Sequence, residues 1–186
     1  MNIIKKVDLR VARTHKLLTI ALKDLLSEPG KLFSNITINE ICDQAMVHRT
    51  TFYKHFEDKF ALLSSTLTCV LHKYLEMNVE DRLHQPLQSL SKVMLETHLE
   101  PIVQNQKKDK AFSEFFTNYI GEMSKRDFLE LKKRGKQFSL PIKLLAEYHS
   151  GVISLLITWW IYHSDEDVTA EQMDNYYYQL INNKIM

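Results

Sequence analysis

The stretch that decides the fold runs from Thr37 to Lys59 and reads TINEICDQAMVHRTTFYKHFEDK. Thr37 is followed three residues later by Glu40, and this pair forms a capping box, which predicts that a helix begins there. Ile38, Ile41 and Ala45 then recur at the spacing of one apolar helical face. The first part of the stretch is therefore predicted to be a short amphipathic helix.

A second short helical pattern begins at His48 and places Phe52 and Phe56 on one inward face, at i and i+4. The side chains around these two rings donate hydrogen bonds and include no carboxylate: Arg49, Thr50, Thr51, Tyr53, Lys54 and His55. Two short helices joined by a tight turn, the second presenting donors and cations, are typical of a helix-turn-helix that enters a DNA major groove.

The stretch resembles the TetR family of bacterial transcriptional regulators. The family pattern is roughly T-hydrophobic-x-x-I-A-x-x-A-G-V-S-x-G-T-hydrophobic-Y-x-H-F-x-x-K-x-x-L. The positions in register here are Thr37, Ile38, Ile41, Ala45, Val47, Thr51, Phe52, Tyr53, His55, Phe56, Lys59 and Leu62. The resemblance implies a cytoplasmic, homodimeric regulator that binds a palindromic operator in double-stranded DNA, more often as a repressor than as an activator.

Three positions depart from the family pattern. Met46 stands where the family usually has the turn glycine, so a side chain is expected in the left-handed conformation at a cost of about 1–2 kcal/mol. His48 replaces the serine that usually caps the second helix, and histidine is not a strong capping residue. Thr50 replaces a small residue, often glycine, and suggests an individual operator preference.

The resemblance also assigns roles within the predicted DNA-binding set, which is Thr37, His48, Arg49, Thr50, Thr51, Tyr53, Lys54, His55 and Lys59. Tyr53 and Lys59 match positions that hold the DNA backbone, with Thr37 donating from the start of its helix. Arg49, Thr50 and Thr51 lie at the start of the recognition helix, where base edges are within reach.

Composition and charge fit this interpretation. Four Gly, four Pro and no alternating β-branched runs in 186 residues predict an all-α protein, which we expect to have about nine helices. Residues 1–63 hold ten Lys or Arg against seven Asp or Glu, and the remainder holds 14 against 16. The expected division is a helix-turn-helix domain at 1–57, carrying the mildly basic end, and a ligand-binding and dimerisation domain at 58–186.

A long apolar helix is predicted from about Ser139 to His163. Residues 148–164 contain no Asp, Glu, Lys or Arg, but the stretch is shorter than the roughly 20 apolar residues of a membrane span. It is interpreted as a helix buried against its own subunit and a partner. Residues 141–160 resemble a C-terminal domain of Firmicutes TetR-type regulators, which implies dimerisation through the last two long helices. The predicted interface residues are Gly151, Ile153, Leu156, Ile157, Trp160 and Tyr177.

Aromatic residues are concentrated between Phe112 and Tyr162, and two interpretations stay open. They form plain core, or they line a pocket of roughly 300 Å³ or more for a small apolar or aromatic effector. The candidate pocket residues are His98, Phe112, Phe116, Tyr119 and Trp159.

Other patterns indicate no catalysis. Glu96 and Glu100 share a helical face but His98 does not, so a solvated surface is favoured over a metal site. The polar run from Gln104 to Asp109 is predicted to be a solvated loop. No nucleophile with its base, phosphate-binding loop or acid pair stands out, so we expect neither an enzyme nor a cofactor.

The sequence therefore predicts a DNA-binding regulator, most simply a repressor released by an effector. The alternative is a protein of the same fold that acts mainly through another regulator and has no ligand pocket.

Overall fold

The computed structural model describes residues 9–97, 99–163 and 167–182 of the chain. This described part contains α-helices, one short 3-10 segment at Phe33–Asn35 and no strand, so the predicted all-α class is confirmed. Eleven α-helices occur there, two more than expected: α1 Leu9–Ser27, α2 Ile38–Ala45, α3 Arg49–Phe52, α4 Lys59–Val70, α5 His72–Glu76, α6 Val79–His84, α7 Pro86–Thr97, α8 Glu100–Gln106, α9 Lys110–Lys133, α10 Ile142–Tyr162 and α11 Ala170–Ile181.

The sequence pattern predicts continuous helices from Asp58 to Glu76 and from Pro86 to about Val103, and the structure divides both. α6 is a further helix that the pattern does not predict, whereas α9 unites two helices predicted separately around Phe112 and Phe128. The segment from Asp58 to Glu76 is divided at Leu71, whose φ of −90° and ψ of 12° leave the helical region. Just before this break, the hydroxyls of Thr66 and Thr68 donate to carbonyls four residues earlier, a contact that tends to bend helices. The segment from Pro86 to Val103 is divided between α7 and α8.

The three N-terminal helices share one core with α4. α1 packs on both α2 and α4, and Leu18, Leu22, Ile41 and Phe52 in this core are fully enclosed. The helical spacing of its apolar residues predicts Leu9, Leu17 and Ile20 on the inward face of α1, but all three are exposed. The apolar stripe of α1 instead follows Leu18, Ala21, Leu22, Leu25 and Leu26.

The helices from α5 to α11 form the body of the molecule. It is built on the antiparallel pair α9 and α10, which make the most extensive helix contact among the described residues. The two helices are in contact at Gly121 of α9, where a Cβ would lie 3.4 Å from Oγ of Ser150 on α10, an ordinary van der Waals distance. α11 packs against α7 and α10. The carboxylate of Asp174 on α11 accepts from the N–H groups of Leu87 (2.8 Å) and Gln88 (3.0 Å), which closes the N-terminus of α7.

A buried ion pair joins α6 to α9. The Arg82 guanidinium donates through Nε to Asp127 at 3.0 Å and forms a second bond to the same carboxylate through Nη2. Arg82 also donates to the carbonyl of Leu75 at 2.8 Å, so the turn between α5 and α6 is held by the same side chain. Burial is tolerated because each charged atom has a partner.

α10 is long and apolar enough to cross a membrane, judged on length and composition alone. In the described chain this helix lies along α9 and α11, with Ala146, Ile153 and Leu156 buried in the body. These contacts indicate that α10 packs in the core of its own subunit, which is one half of the sequence interpretation; burial against a partner stays a prediction.

Candidate nucleic-acid interface

α2 begins at the predicted capping box. Thr37 Oγ1 accepts from the Glu40 N–H at 3.2 Å, and the Glu40 carboxylate accepts from the Thr37 N–H at 2.8 Å. Lys31 Nζ lies 3.1 Å from the same carboxylate. These bonds, first of all the one from the Thr37 backbone, lower the pKa of Glu40 to about 2. The start of α2 is thus fixed by its own side chains, which places Thr37 at the surface with its hydroxyl already bonded.

The turn between α2 and α3 has the conformation expected of a glycine. Met46 has φ 51° and ψ 42°, in the left-handed region, which confirms that expectation. Its side chain is 90% exposed and makes no compensating contact with the core. The turn closes through the Val47 N–H, which donates to the Cys42 carbonyl at 2.9 Å. The left-handed residue therefore sets the angle between the helices at a steric cost.

α3 is anchored by two rings and open on its other side. Phe52 and Phe56 are buried, as predicted, and fix the rotation of the helix. The outward side chains are those of His48, Arg49, Thr50, Tyr53 and Lys54, whereas Thr51 is half-buried. His48 occupies the capping position without a side-chain bond, in agreement with its weak capping propensity.

The Arg49 side chain is held in place before any ligand is bound. Its Nη1 donates to Asn39 Oδ1 at 3.2 Å and its Nη2 to the Tyr53 hydroxyl at 3.3 Å. The guanidinium carbon also lies 5.6 Å from the centre of the Tyr53 ring. α2 and α3 together thus orient one exposed, permanently charged fork, the side chain best suited to bind guanine or phosphate.

Two of the predicted DNA-binding residues lie differently from the others. The half-buried His55 ring faces α1, where it contacts His15 edge-on at 5.1 Å. Lys59 Nζ donates to the carbonyls of Phe33 (2.9 Å), Ser34 (3.1 Å) and Ile36 (2.9 Å). Because an ammonium has three donors, the predicted phosphate contact of Lys59 is unsuited to this geometry. Lys59 instead closes the 3-10 segment before α2.

A polar junction, Asn105, Gln106 and Asp109, joins the body to the segment that precedes α2. The fully enclosed Gln106 accepts from the Phe33 N–H at 2.8 Å and donates to the carbonyls of Leu26 (2.9 Å) and Lys31 (2.8 Å). The prediction of a solvated loop from Gln104 to Asp109 is wrong, because α8 extends to Gln106 and the side chain of Gln106 is buried.

The other two junction residues hold the same segment. Asn105 Oδ1 accepts from the Gly30 N–H at 2.8 Å, and its amide donates to the Leu26 carbonyl at 2.9 Å. Asp109 accepts from the N–H groups of Ser34 (2.6 Å) and Phe112 (3.0 Å). Burial alone would raise the pKa of Asp109, but these donors hold it below its ordinary value. The sequence offers one local signal for this junction: Asp109 precedes an apolar helical pattern and is a favoured N-cap residue, so its side chain is suited to bond the Phe112 N–H.

A cavity of about 100 Å³ lies directly behind the junction and is lined by Gln106 and by two of the predicted pocket residues, Phe112 and Phe116. It is smaller than the roughly 300 Å³ expected for a ligand pocket. Its wall also includes Ser154, whose buried hydroxyl has no hydrogen-bond partner among the described residues. Leu90, Met94, Ile157 and Ile161 separate it from a more open groove of about 270 Å³.

Two predicted pocket residues do not reach this cavity. The Tyr119 hydroxyl is bonded to Thr68 Oγ1 at 2.9 Å. Trp159 stacks on His163, with ring centres 4.6 Å apart. Closeness in sequence does not bring these rings together, because they lie on other faces of α9 and α10 than the cavity-lining rings of Phe112 and Phe116. His98 lies outside the described residues.

The predicted dimer contacts divide into inward and outward residues. Ile153, Leu156 and Tyr177 are buried in the subunit's own core, so their assignment to an interface is corrected. Ile157 and Trp160 are half-buried beside the open groove. Gly151 is exposed and belongs to an outward stripe at alternating spacings of four and three residues: Leu144, Tyr148, Gly151, Leu155, Thr158 and Tyr162.

Metal ligation has no geometric support in residues 9–97, 99–163 and 167–182, where no three His, Cys, Asp or Glu side chains come together as ligands would. Glu96 is paired with Lys73 at 2.7 Å instead.

Known proteins resemble part of this sequence and the whole fold. No family model matches the chain. Over 63 residues the chain is 36% identical to the uncharacterized HTH-type transcriptional regulator YxbF of Bacillus subtilis (strain 168). That match covers 34% of this chain and only 16% of the relative.

Three solved structures resemble the whole chain at low identity. A TetR transcriptional regulator from Streptococcus agalactiae 2603V has a TM-score of 0.60 at 20% identity, covering 94% of this chain and 96% of its own. A TetR-family transcriptional regulator from Pectobacterium atrosepticum has 0.51 at 19%, covering 94% and 95%. The dihydroxyacetone kinase operon activator DhaS has 0.51 at 19%, covering 91% and 92%. The predicted resemblance is thereby confirmed, and the chain has the fold of the TetR-family transcriptional regulators.

Proposed function

We propose that the protein is a sequence-specific transcriptional regulator that binds double-stranded DNA through the exposed face of α3. The observation that carries this proposal is the pairing of two buried rings, Phe52 and Phe56, with an outward face that has donors and cations but no carboxylate. Such a face suits the negative potential and the acceptor-rich base edges of the major groove. Residues 1–57 act as the DNA-binding domain and 58–186 as the regulatory domain.

Arg49 is the residue proposed to read sequence. Its guanidinium is exposed at the first turn of α3 and is held by Asn39 and Tyr53, so little side-chain freedom is lost on binding. Thr50 and Thr51 adjoin it and supply hydroxyls to base edges. Tyr53 and Lys54 are proposed to contact phosphates, which position the helix without specifying sequence.

The functional unit is proposed to be a homodimer formed through the outward stripe of α10. Leu144, Tyr148, Leu155 and Tyr162 are each about half exposed (49–59%) although they are large and apolar. Their spacing is that of a helix seam that packs against a second helix. Gly151 in the same stripe leaves open space where a Cβ would stand, which permits close approach. The two DNA-binding heads of such a dimer, residues 1–57 of each subunit, would reach half-sites about 34–36 Å apart or a multiple of that spacing.

Regulation is proposed to pass through the polar junction. A small apolar effector that enters between α7 and α10 would join the 100 Å³ cavity to the adjoining groove, since among the described residues these two spaces share the walls Leu90, Met94, Ile157 and Ile161. The widened cavity has Gln106 in its wall. Displacing α8 would then move the segment before α2 and change the angle of the head, releasing a repressor from its operator.

The size of that cavity also favours the alternative, a regulator of this fold without an effector that acts through another protein. The two functions differ in whether the purified protein alone binds DNA.

Gel-shift titration with the DNA upstream of the protein's own coding region tests the proposal. The wild type is expected to form a complex that Arg49→Ala weakens by roughly 5- to 150-fold, which corresponds to the loss of about 1–3 kcal/mol. Lys133→Ala is the matched control, because it removes an exposed charge at the far end of α9. Failure of the wild type to bind any such fragment would favour the alternative.

A further inference from the structure

A second cavity, of about 260 Å³, lies far from the DNA-binding head. α9 starts beside the head, where Asp109 binds the Ser34 N–H, and runs away from it to Lys133. The cavity is lined by residues from the second half of α9, the first half of α10, α6 and α11. It shares no lining residue with the cavity behind the junction.

The wall of this cavity, which also includes Lys136 and Phe138 from the loop after α9, contains one buried side chain with an unpartnered polar atom, His149. His149 is 5% exposed, and its Nε2 has no hydrogen-bond partner among the described residues. The other ring nitrogen, Nδ1, lies 2.8 Å from the hydroxyl of the buried Ser124. The ring is held edge-on by Phe128 and Tyr177, with centres 5.7 and 5.6 Å away. An orphaned group in such a rigid setting calls for an explanation.

The tautomer of His149 follows from counting donors and acceptors. If Ser124 donates its proton to Nδ1, the ring carries its own proton on Nε2 and a single N–H is left without a partner. If Nδ1–H donates to Ser124 instead, both the serine proton and the Nε2 lone pair are left without partners in the described chain. The first arrangement leaves fewer buried groups unsatisfied, so Nε2–H is a donor in the cavity wall.

The remaining surface of the cavity is mostly apolar, with the exposed His84 and Lys136 at its solvent edge, and its nearby hydroxyls are already bonded. Most of the wall is formed by aliphatic and phenyl side chains, those of Leu83, Phe128, Leu131, Phe138, Leu145 and Ile181. The Tyr177 hydroxyl donates to the Leu83 carbonyl at 3.2 Å, and the Tyr148 hydroxyl to the Leu180 carbonyl at 3.2 Å. His149 is thus the buried polar group left to orient a ligand, whereas His84 and Lys136 face solvent.

We propose that this cavity binds a small, mostly apolar molecule with one uncharged acceptor oxygen of the carbonyl class, which accepts from His149 Nε2. The size is adequate, since a dry apolar cavity of about 150 Å³ binds benzene. Burial lowers the pKa of His149 to about 4, so the imidazole is neutral near pH 7 and a neutral acceptor suits it. The site is distinct from the effector site of the proposed function and does not depend on it.

The test uses two probes of nearly equal shape, acetophenone, which has the acceptor oxygen, and ethylbenzene, which lacks it. Each is titrated into the full chain labelled with ¹⁵N in histidine, and the ring nitrogens of His149 are followed by NMR. Acetophenone is expected to shift the Nε2 signal saturably and to bind about three- to tenfold more tightly than ethylbenzene, the margin of one net hydrogen bond.

Two variants keep the test decisive. His149→Phe should bind both probes equally, because the donor is lost while an apolar ring remains. Leu145→Trp fills the cavity and retains His149, so it should abolish the shift while the protein stays folded. The proposal is overturned if acetophenone leaves the His149 signals unmoved at saturation, if ethylbenzene binds as tightly, or if Leu145→Trp leaves the shift intact.

Discussion

At the scale of single residues, the motif contains a strained backbone position and a lysine with an unexpected role. Met46 adopts φ 51° with its side chain 90% exposed, so the turn gains nothing from the side chain that the conformation disfavours. Lys59 uses its three donors on backbone carbonyls rather than facing outward. Met46 thus lowers the stability of the fold and Lys59 raises it. Both effects can be measured without DNA.

Met46→Gly should raise the free energy of unfolding by about 1 kcal/mol, because glycine enters the left-handed region without a steric penalty. The greater freedom of glycine in the unfolded chain reduces this gain. Urea unfolding followed by circular dichroism measures it. Met46→Ala is the control and should give no gain, since alanine keeps the Cβ. A glycine variant no more stable than the alanine variant would show that the turn is unstrained.

Lys54→Ala should reduce the salt dependence of DNA binding by about one ion, because an exposed phosphate contact is lost. Lys59→Ala should leave that slope unchanged and instead destabilise the fold by about 1–3 kcal/mol, since three backbone carbonyls before α2, two of them part-buried, lose their charged donor. Affinity titrations across salt concentration, paired with urea unfolding, separate the two effects. A lower slope for Lys59→Ala would restore its predicted phosphate contact.

At the scale of helices, local signals were readable from the sequence and distant contacts were not. The capping boxes at Thr37 and Thr169 both form, because their partners lie three residues away. Gln106, by contrast, bonds to residues more than 70 positions away, and no periodicity reports such a contact. The inward face of α10 was equally hidden, because the helix is apolar all round and hydrophobicity does not distinguish Ile153 from Leu155.

Gln106→Ala should lower the free energy of unfolding by about 1–3 kcal/mol and speed hydrogen exchange at the Phe33 amide, whose acceptor is removed. It should also weaken operator binding, since the segment before α2 loses its attachment to α8. Gln104→Ala, on the same helix but directed to the open groove, is the control. Unchanged Phe33 exchange in the Gln106 variant would show that the junction does not hold that segment.

At the scale of the whole molecule, the head and the body share one core, and α10 presents an apolar stripe to solvent. A single cluster of buried side chains runs from Leu18 and Phe52 through α4 to Phe112 and Met123. A second cluster joins α7, α10 and α11. Motion in the body therefore has a packed route to the head, and the outward stripe of α10 is the surface proposed to contact a second copy of the chain.

Leu155→Asp should yield a folded monomer, because a charge buried in the dimer contact without a partner costs several kcal/mol. Leu155 is 59% exposed in the subunit, so its own core should be unaffected. Sedimentation reports the assembly and circular dichroism the fold, with Gln137→Asp as an exposed control in the loop before α10. A folded dimer of the Leu155 variant would place the interface elsewhere.

The central claim, that the exposed face of α3 reads DNA sequence, is tested most directly by selecting binding sites from random double-stranded DNA. The wild type should enrich two inverted half-sites with centres about one helical turn apart or a multiple of that distance. Arg49→Ala should enrich the same sites with the preference relaxed at one base pair of each half-site. Failure of the wild type to enrich any sequence over the starting pool would contradict the claim.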